Sequence, residues 1–259
     1  MLLENRIAIV SGIGPGMGRD ISLAFAREGA HLVLGARTKS AVDELAAEIR
    51  GLGRRAIGVP TDIAKAEDCH RLARAAEEEF GRIDVLVNNA FRGMSFRAIE
   101  DDTMEDWRQI FDVNVFGSLE LTKAVVPAMK RQGGGSIVMI NSMSMRIIEP
   151  QHGGYAASKG ALYIAAQTLA KELGRYKIRV NTVVPGYIWG PSLQGYFKHL
   201  AAQQGTTPET IYAGVASQTA LNHIPDSEEI ADAVVFFASD LSRVVTGQAL
   251  DVNGGHFFH

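Results

Sequence analysis

Short apolar runs alternate with longer amphipathic stretches along almost the whole chain, and that alternation limits the fold more than any other feature. The runs are RIAIV (6–10), HLVLG (31–35), RAIGVP (55–60), DVLVN (84–88), SIVMI (136–140), RVNTVV (179–184) and ALDV (249–252). Most are continuously apolar, the pattern of parallel strands covered on both faces. Helical periodicity fills the gaps. In MGRDISLAFAREG, Ile21, Ala24 and Phe25 share one face and Gly29 marks the stop. SAVDELAAEIRGLG and AEDCHRLARAAEEEFG repeat the scheme, each ending in glycine. DSEEI sets Asp226 and Glu229 at capping-box spacing and predicts a helix over 226–238. Strand and helix in turn at this pitch predict right-handed βαβ units. The expected fold is α/β: a doubly wound parallel sheet of about seven strands with helices on both faces.

We read 1–259 as a single domain without internal repeats or linkers. Residues 186–225 break the rhythm, offering no strand and mixing aromatics with Gly and Pro. A segment of that length predicts a substrate lid, with a poorly ordered insertion as the alternative. A net charge of −3 argues against nucleic acid and anionic membranes as partners. Cys69 is the only cysteine, which excludes an internal disulfide and a thiolate metal cluster. Its place beside Leu72 and Ala73 predicts a free structural thiol. The seven histidines are dispersed and no H-E-x-x-H occurs, so no metal is expected. The apolar stretch in MLLENRIAIV is too short for a signal peptide, and no window approaches a membrane span. The chain is expected to be cytoplasmic.

SGIGPGMG (11–18) follows the first apolar run directly and opens the first helix. A helix N-terminus has bare amides and a positive dipole, and glycine lets a phosphate approach them. No Lys-Ser or Lys-Thr pair follows Gly18, which removes the Walker reading. The loop therefore predicts a dinucleotide site contributed by Ser11, Gly12, Gly16, Met17 and Gly18.

The spacing Gly12-x3-Gly16-x-Gly18 departs from G-x-G-x-x-G and resembles the short-chain dehydrogenase/reductase family, in its single-domain branch. Other matches follow in order. NNA (88–90) is similar to the family's NNAG, and Asn114 in DVNVFG to its helix asparagine. Ser142 lies thirteen residues before Tyr155, and YAASK gives Tyr155-x3-Lys159. PG (185–186) and TG…DVNGG complete the set. The resemblance implies a Rossmann-like fold and an oxidoreductase moving hydride between a nicotinamide cofactor and a ketone or secondary alcohol. Enoyl reductases of the superfamily carry a wider Tyr-to-Lys interval. A nucleotide-sensing protein that keeps the fold without turnover is the alternative.

The residues make chemical sense of that reading. Tyr155 and Lys159, four apart, share one helix face. A tyrosine titrates at about 10, and an ammonium beside it favours the phenolate, so Tyr155 is the expected acid/base. Ser142 would hold the same substrate oxygen. The resemblance implies that Asn114 binds a water linking Lys159 to solvent, and that Lys159 also meets the nicotinamide ribose. His152 stays outside the catalytic set.

Where an NAD site places a carboxylate after the second strand, this chain has Ala36, followed by Arg37 and, close by, Lys39. A guanidinium suits a 2′-phosphate, so NADP is expected, with NAD as the alternative. By resemblance Asp62 meets the adenine amino group with Ile63 beside it. Asn88 and Ala90 line the adenosine ribose. Pro185, Gly186 and Ile188 border the nicotinamide, Ile188 through its backbone. Two departures stand out: Phe91 replaces the glycine of NNAG, and Gly190 stands where a threonine is common, with Ser192 as a possible substitute. Tyr187, Trp189, Leu193, Tyr196 and Phe197, with Met94, Met143 and Met145, suggest an apolar small-molecule ketone or alcohol. Relatives of the family imply a homotetramer.

Overall fold

The computed structural model describes residues 1–258. Seven strands appear in chain order: β1 (Ile7–Ser11), β2 (His31–Ala36), β3 (Ala56–Pro60), β4 (Val85–Asn88), β5 (Gly135–Ile140), β6 (Ile178–Pro185) and β7 (Ala249–Val252). All pairings are parallel, and the sheet order is β3-β2-β1-β4-β5-β6-β7. The apolar runs thus become strands within a residue or two of their expected limits.

Each central strand divides its side chains between two cores. Ala8 and Val10 enter one, with Leu32 and Leu34 from β2; Ile9 and Val33 enter the other. That is why the strands read as unbroken apolar runs. The first core is covered by α1 (Met17–Arg27), α2 (Lys39–Gly51) and, from later in the chain, α9 (Ser227–Ala238). The second lies under α3 (Ala66–Phe80), α5 (Ser118–Gln132) and α6 (Gly153–Leu173). Cys69 is buried there, its thiol directed at the Ile63 carbonyl and pushed up to about 11 by desolvation, a structural thiol as expected. The Asp226–Glu229 capping box forms at the start of α9.

The chain runs outward from β1 to β3 and returns on the other side of β1 to make β4. The reversal opens a crevice at the carboxyl ends of β1 and β4, the place where ligands bind in such sheets. Between β4 and α5 lies α4 (Met104–Phe111), continuous with α5 through a π-helical segment, Asp112–Gly117. Residues 186–225 contain two helices, α7 (Pro191–Gln204) and α8 (Pro208–Ala216). They enclose a small apolar cluster of their own around Phe197, Ala216 and Ile224.

Candidate active site

The glycine turn is shaped by backbone crowding. Gly12 has φ 85°, and a Cβ there would overlap the Cα of Ala90. A Cβ on Gly18 would overlap the Gly12 carbonyl and come within 2.7 Å of Asn89 Nδ2. Asn89 donates 2.6 Å to the Gly12 carbonyl, pinning the turn to the end of β4. By contrast, Gly14 and Gly16 meet nothing within 4 Å. Gly16 is the N-cap of α1 and supplies no side-chain cap, so the first amides of the helix face the crevice unaided. A helix end of this kind fits a diphosphate.

Beside it lies a cavity of about 310 Å³ lined by Ser11, Gly12, Arg37, Asp62, Asn89 and Arg92, among others. Ile63 and Ala90 also reach it. Arg37 is exposed and makes no hydrogen bond or ion pair among the described residues. Lys39 is committed to Asp43. Asp62 accepts from the amide of Ala64 at 3.2 Å, which fixes its carboxylate at the end of β3. Asn88 departs from expectation. Its side chain is buried, donating 3.1 Å to Thr122 Oγ1 on α5, and it does not line the cavity. In NNA it is the second asparagine that borders the cleft.

The four catalytic candidates converge from three elements. Asn114, fully buried in the π-helical segment, has its amide turned inward: Oδ1 accepts from the Arg92 amide at 2.7 Å, and Nδ2 donates 3.0 Å to the Arg92 carbonyl and 2.9 Å to Ser158 Oγ. The extra residue of a π-turn is what swings it there. Ser158 in turn donates 2.7 Å to the Tyr155 carbonyl. Lys159 is buried, its Nζ donating 2.9 Å to the Ile140 carbonyl at the end of β5 and standing 5.6 Å from the Tyr155 ring centre. Asn141 ties the same strand end to α6 by donating 3.1 Å to the Lys159 carbonyl. Ser142 follows in extended backbone, its hydroxyl 3.1 Å from that of Ser144.

Electrostatics in this geometry differ from the simple expectation. Burial pushes the Tyr155 phenol above its ordinary value, while hydrogen bonding with Ser142 acts the other way. Desolvation draws the Lys159 ammonium down from 10.5 to about 7. Burial thus favours the neutral phenol and the neutral amine alike. At neutral pH the pair holds a protonated phenol: a proton donor.

At the end of β6 stands Pro185, and Gly186 packs so closely that a Cβ would come within 2.8 Å of Asn253 Cβ. Ile188 packs on the first core, and the Trp189 amide donates 2.7 Å to the Pro225 carbonyl. Phe197 is buried within the α7–α8 cluster with Trp189 and Leu193 against it, so these three are primarily packing residues. Gly190 is the N-cap of α7 and Ser192 is exposed. The rings nearest the chemistry come from elsewhere: Phe91, 64% exposed, meets Tyr155 edge-on at 6.5 Å, and Phe96 meets His152 at 5.8 Å. Asn89 and Arg92 were missed by sequence reasoning; a cation immediately after NNAF was the available signal. Among the described residues no cluster could hold a metal ion.

The geometry agrees with relatives. A family model described as enoyl-(acyl carrier protein) reductase matches residues 12–256. An uncharacterised oxidoreductase of Methylorubrum extorquens is 40% identical over 98% of both chains. The 7α-hydroxysteroid dehydrogenase of Escherichia coli is 33% identical over 98% of this chain and 94% of its own. L-sorbose reductase of Gluconobacter frateurii, solved with NADPH and L-sorbose, superposes with a TM-score of 0.93 at 30% identity, covering 99% and 98% of the two chains. The chain belongs to the short-chain dehydrogenase/reductase family, oxidoreductases acting on hydroxyl or carbonyl groups.

Proposed function

We propose that this protein is an NADPH-dependent reductase of small ketones, with Tyr155 as the acid. The observation that carries the reading is the convergence of Tyr155, Lys159, Ser142 and Asn114 beside a glycine-turned crevice. A bound nicotinamide dinucleotide supplies the hydride. A 7α-hydroxysteroid dehydrogenase solved with NADH and the L-sorbose reductase solved with NADPH support its use, and the free Arg37 beside Ala36 favours the 2′-phosphate form. The residues that would hold it are Ser11, Gly12, Gly16, Met17, Gly18, Arg37, Asp62, Ile63 and Ala90 on the adenosine side. Lys159, Pro185, Gly186 and Ile188 would hold the other half.

The chain's own chemistry is proton delivery and orientation. Ser142 donates a hydrogen bond to the carbonyl oxygen and fixes it near the phenol. Tyr155, protonated at neutral pH, gives its proton to that oxygen as negative charge develops. Asn114 holds the helix turn that places Tyr155, through Ser158. Protonation at oxygen, served by a tyrosine and lysine four residues apart on α6, suits a carbonyl better than an enoyl double bond.

Phe91, Phe96, Tyr187 and Tyr196 support an apolar substrate, with the α7–α8 pair as its lid. Exposed Phe116 on the π-segment and Ile164 on α6 support a homotetramer, and light scattering at micromolar concentration should return four subunits. No helix among the described residues is long and apolar enough to cross a membrane. The test is a panel of ketones and secondary alcohols with NADPH and NADH. Reduction of at least one ketone at neutral pH, faster with NADPH, is expected. Turnover of none, or a preference for NADH, would refute the reading.

A further inference from the structure

We propose that Arg92 is a second phosphate-binding cation of the nucleotide site, closing on the diphosphate that NADPH and NADH share. The inference rests on the nucleotide reading above. Among the described residues, Arg37 and Arg92 are the basic residues lining the cavity beside the glycine turn, against one acidic residue, Asp62; Arg92 also borders a neighbouring hollow with Asp106. They come from different walls. Arg37 follows β2 and Arg92 follows β4, the strands on either side of β1. A diphosphate seated at the α1 N-terminus, directly after β1, lies between them. The 2′-phosphate belongs to the Arg37 side, where β2 ends at Ala36.

The root of Arg92 is fixed while its head is only loosely held. Both its amide and its carbonyl are bonded to the Asn114 side chain, at 2.7 and 3.0 Å. Asn114 is linked through Ser158 to the carbonyl of Tyr155, so the Arg92 backbone is registered to the proposed acid. The guanidinium is 46% exposed, and its one ion pair among the described residues is with Asp106 at 3.9 Å. That carboxylate is also held by Arg97 at 3.2 Å and by Thr103 at 2.8 Å. If Arg92 swings away, Asp106 keeps partners and no charge is stranded. A long, exposed ion pair costs little to break, whereas a guanidinium fork on phosphate oxygens forms strong, paired, charge-assisted bonds.

Fluorescence titration of the full chain with NADPH and with NADH, at low and at raised salt, tests this. Arg92→Ala should raise both dissociation constants by the same factor, about tenfold, and flatten their salt dependence. Arg92→Lys should recover most of the loss, because a phosphate accepts an ammonium where a stacking contact would not. Arg37→Ala should weaken NADPH alone. Unchanged affinities in Arg92→Ala, or a loss confined to NADPH, would overturn the assignment of Arg92 and leave the nucleotide site standing. Failure of the unaltered protein to bind either dinucleotide would instead overturn the nucleotide reading and this inference with it.

Discussion

The glycine turn after β1 and the α7–α8 pair after β6 both stand at the carboxyl edge of one parallel sheet, yet they are built by opposite means. In the turn, backbone meets backbone: a methyl on Gly12 or Gly18 has nowhere to go. In the helical pair, Gly190, Gly195 and Gly214 meet nothing within 4 Å, and the segment is held by the packing of Phe197, Trp189 and Ile224. A site made of backbone accepts one ligand shape. One made of side chains can be refitted to a new substrate without disturbing the sheet beneath. On the proposed reading, the dinucleotide and the substrate are held by parts of the chain that can change independently.

Substitutions can break that contrast. The largest effect is expected for Gly18→Ala, which should abolish dinucleotide binding because the new methyl displaces Gly12 and Asn89; calorimetric titration would show it, and near-native affinity would contradict the crowding. Next comes Arg37→Ala, with NADPH weakened about tenfold or more and NADH within about twofold in the same titration.

A smaller, pH-dependent effect follows from Lys159, whose folded-state value near 7 lies below its ordinary 10.5. Between these values the unfolded chain binds a proton that the folded one does not, so this group's contribution to stability rises with pH across that window. Below it, both states are protonated and the burial penalty is fully present. Thermal melts should therefore show wild type gaining on Lys159→Met as pH is raised from about 7 towards 10. A constant gap would mean the amine is not desolvated. The smallest effect is Gly195→Ala, inside α7 with open space around it, which should stabilise that helix by up to ~1 kcal/mol and leave dinucleotide affinity alone.

What could be read beforehand divides along the same line. Crowded backbone leaves glycines in the sequence, and buried parallel strands leave continuous apolar runs, so the sheet and the glycine turn were legible. The spacing also picked out Tyr155, Lys159, Ser142 and Asn114, which the fold brings close together. Their electrostatics were not legible, because burial depends on everything packed around α6 and outweighs the helical neighbour that the sequence shows. Asn88 was misplaced for a related reason: adjacent strand residues face opposite sides, and NNA does not say which asparagine faces the cleft. Phe197 looked like a substrate contact and proved to be packing, since an aromatic in a helix carries no label for either role.

The most direct test of the proposed chemistry is Tyr155→Phe, assayed by single-turnover reduction of a ketone that wild type accepts, with dinucleotide affinity measured on the same samples. Turnover should fall by about a thousandfold or more, while the dissociation constant stays within about twofold, since phenylalanine keeps the ring and removes only the proton. Reduction at the wild-type rate would contradict the assignment of the phenol as the acid.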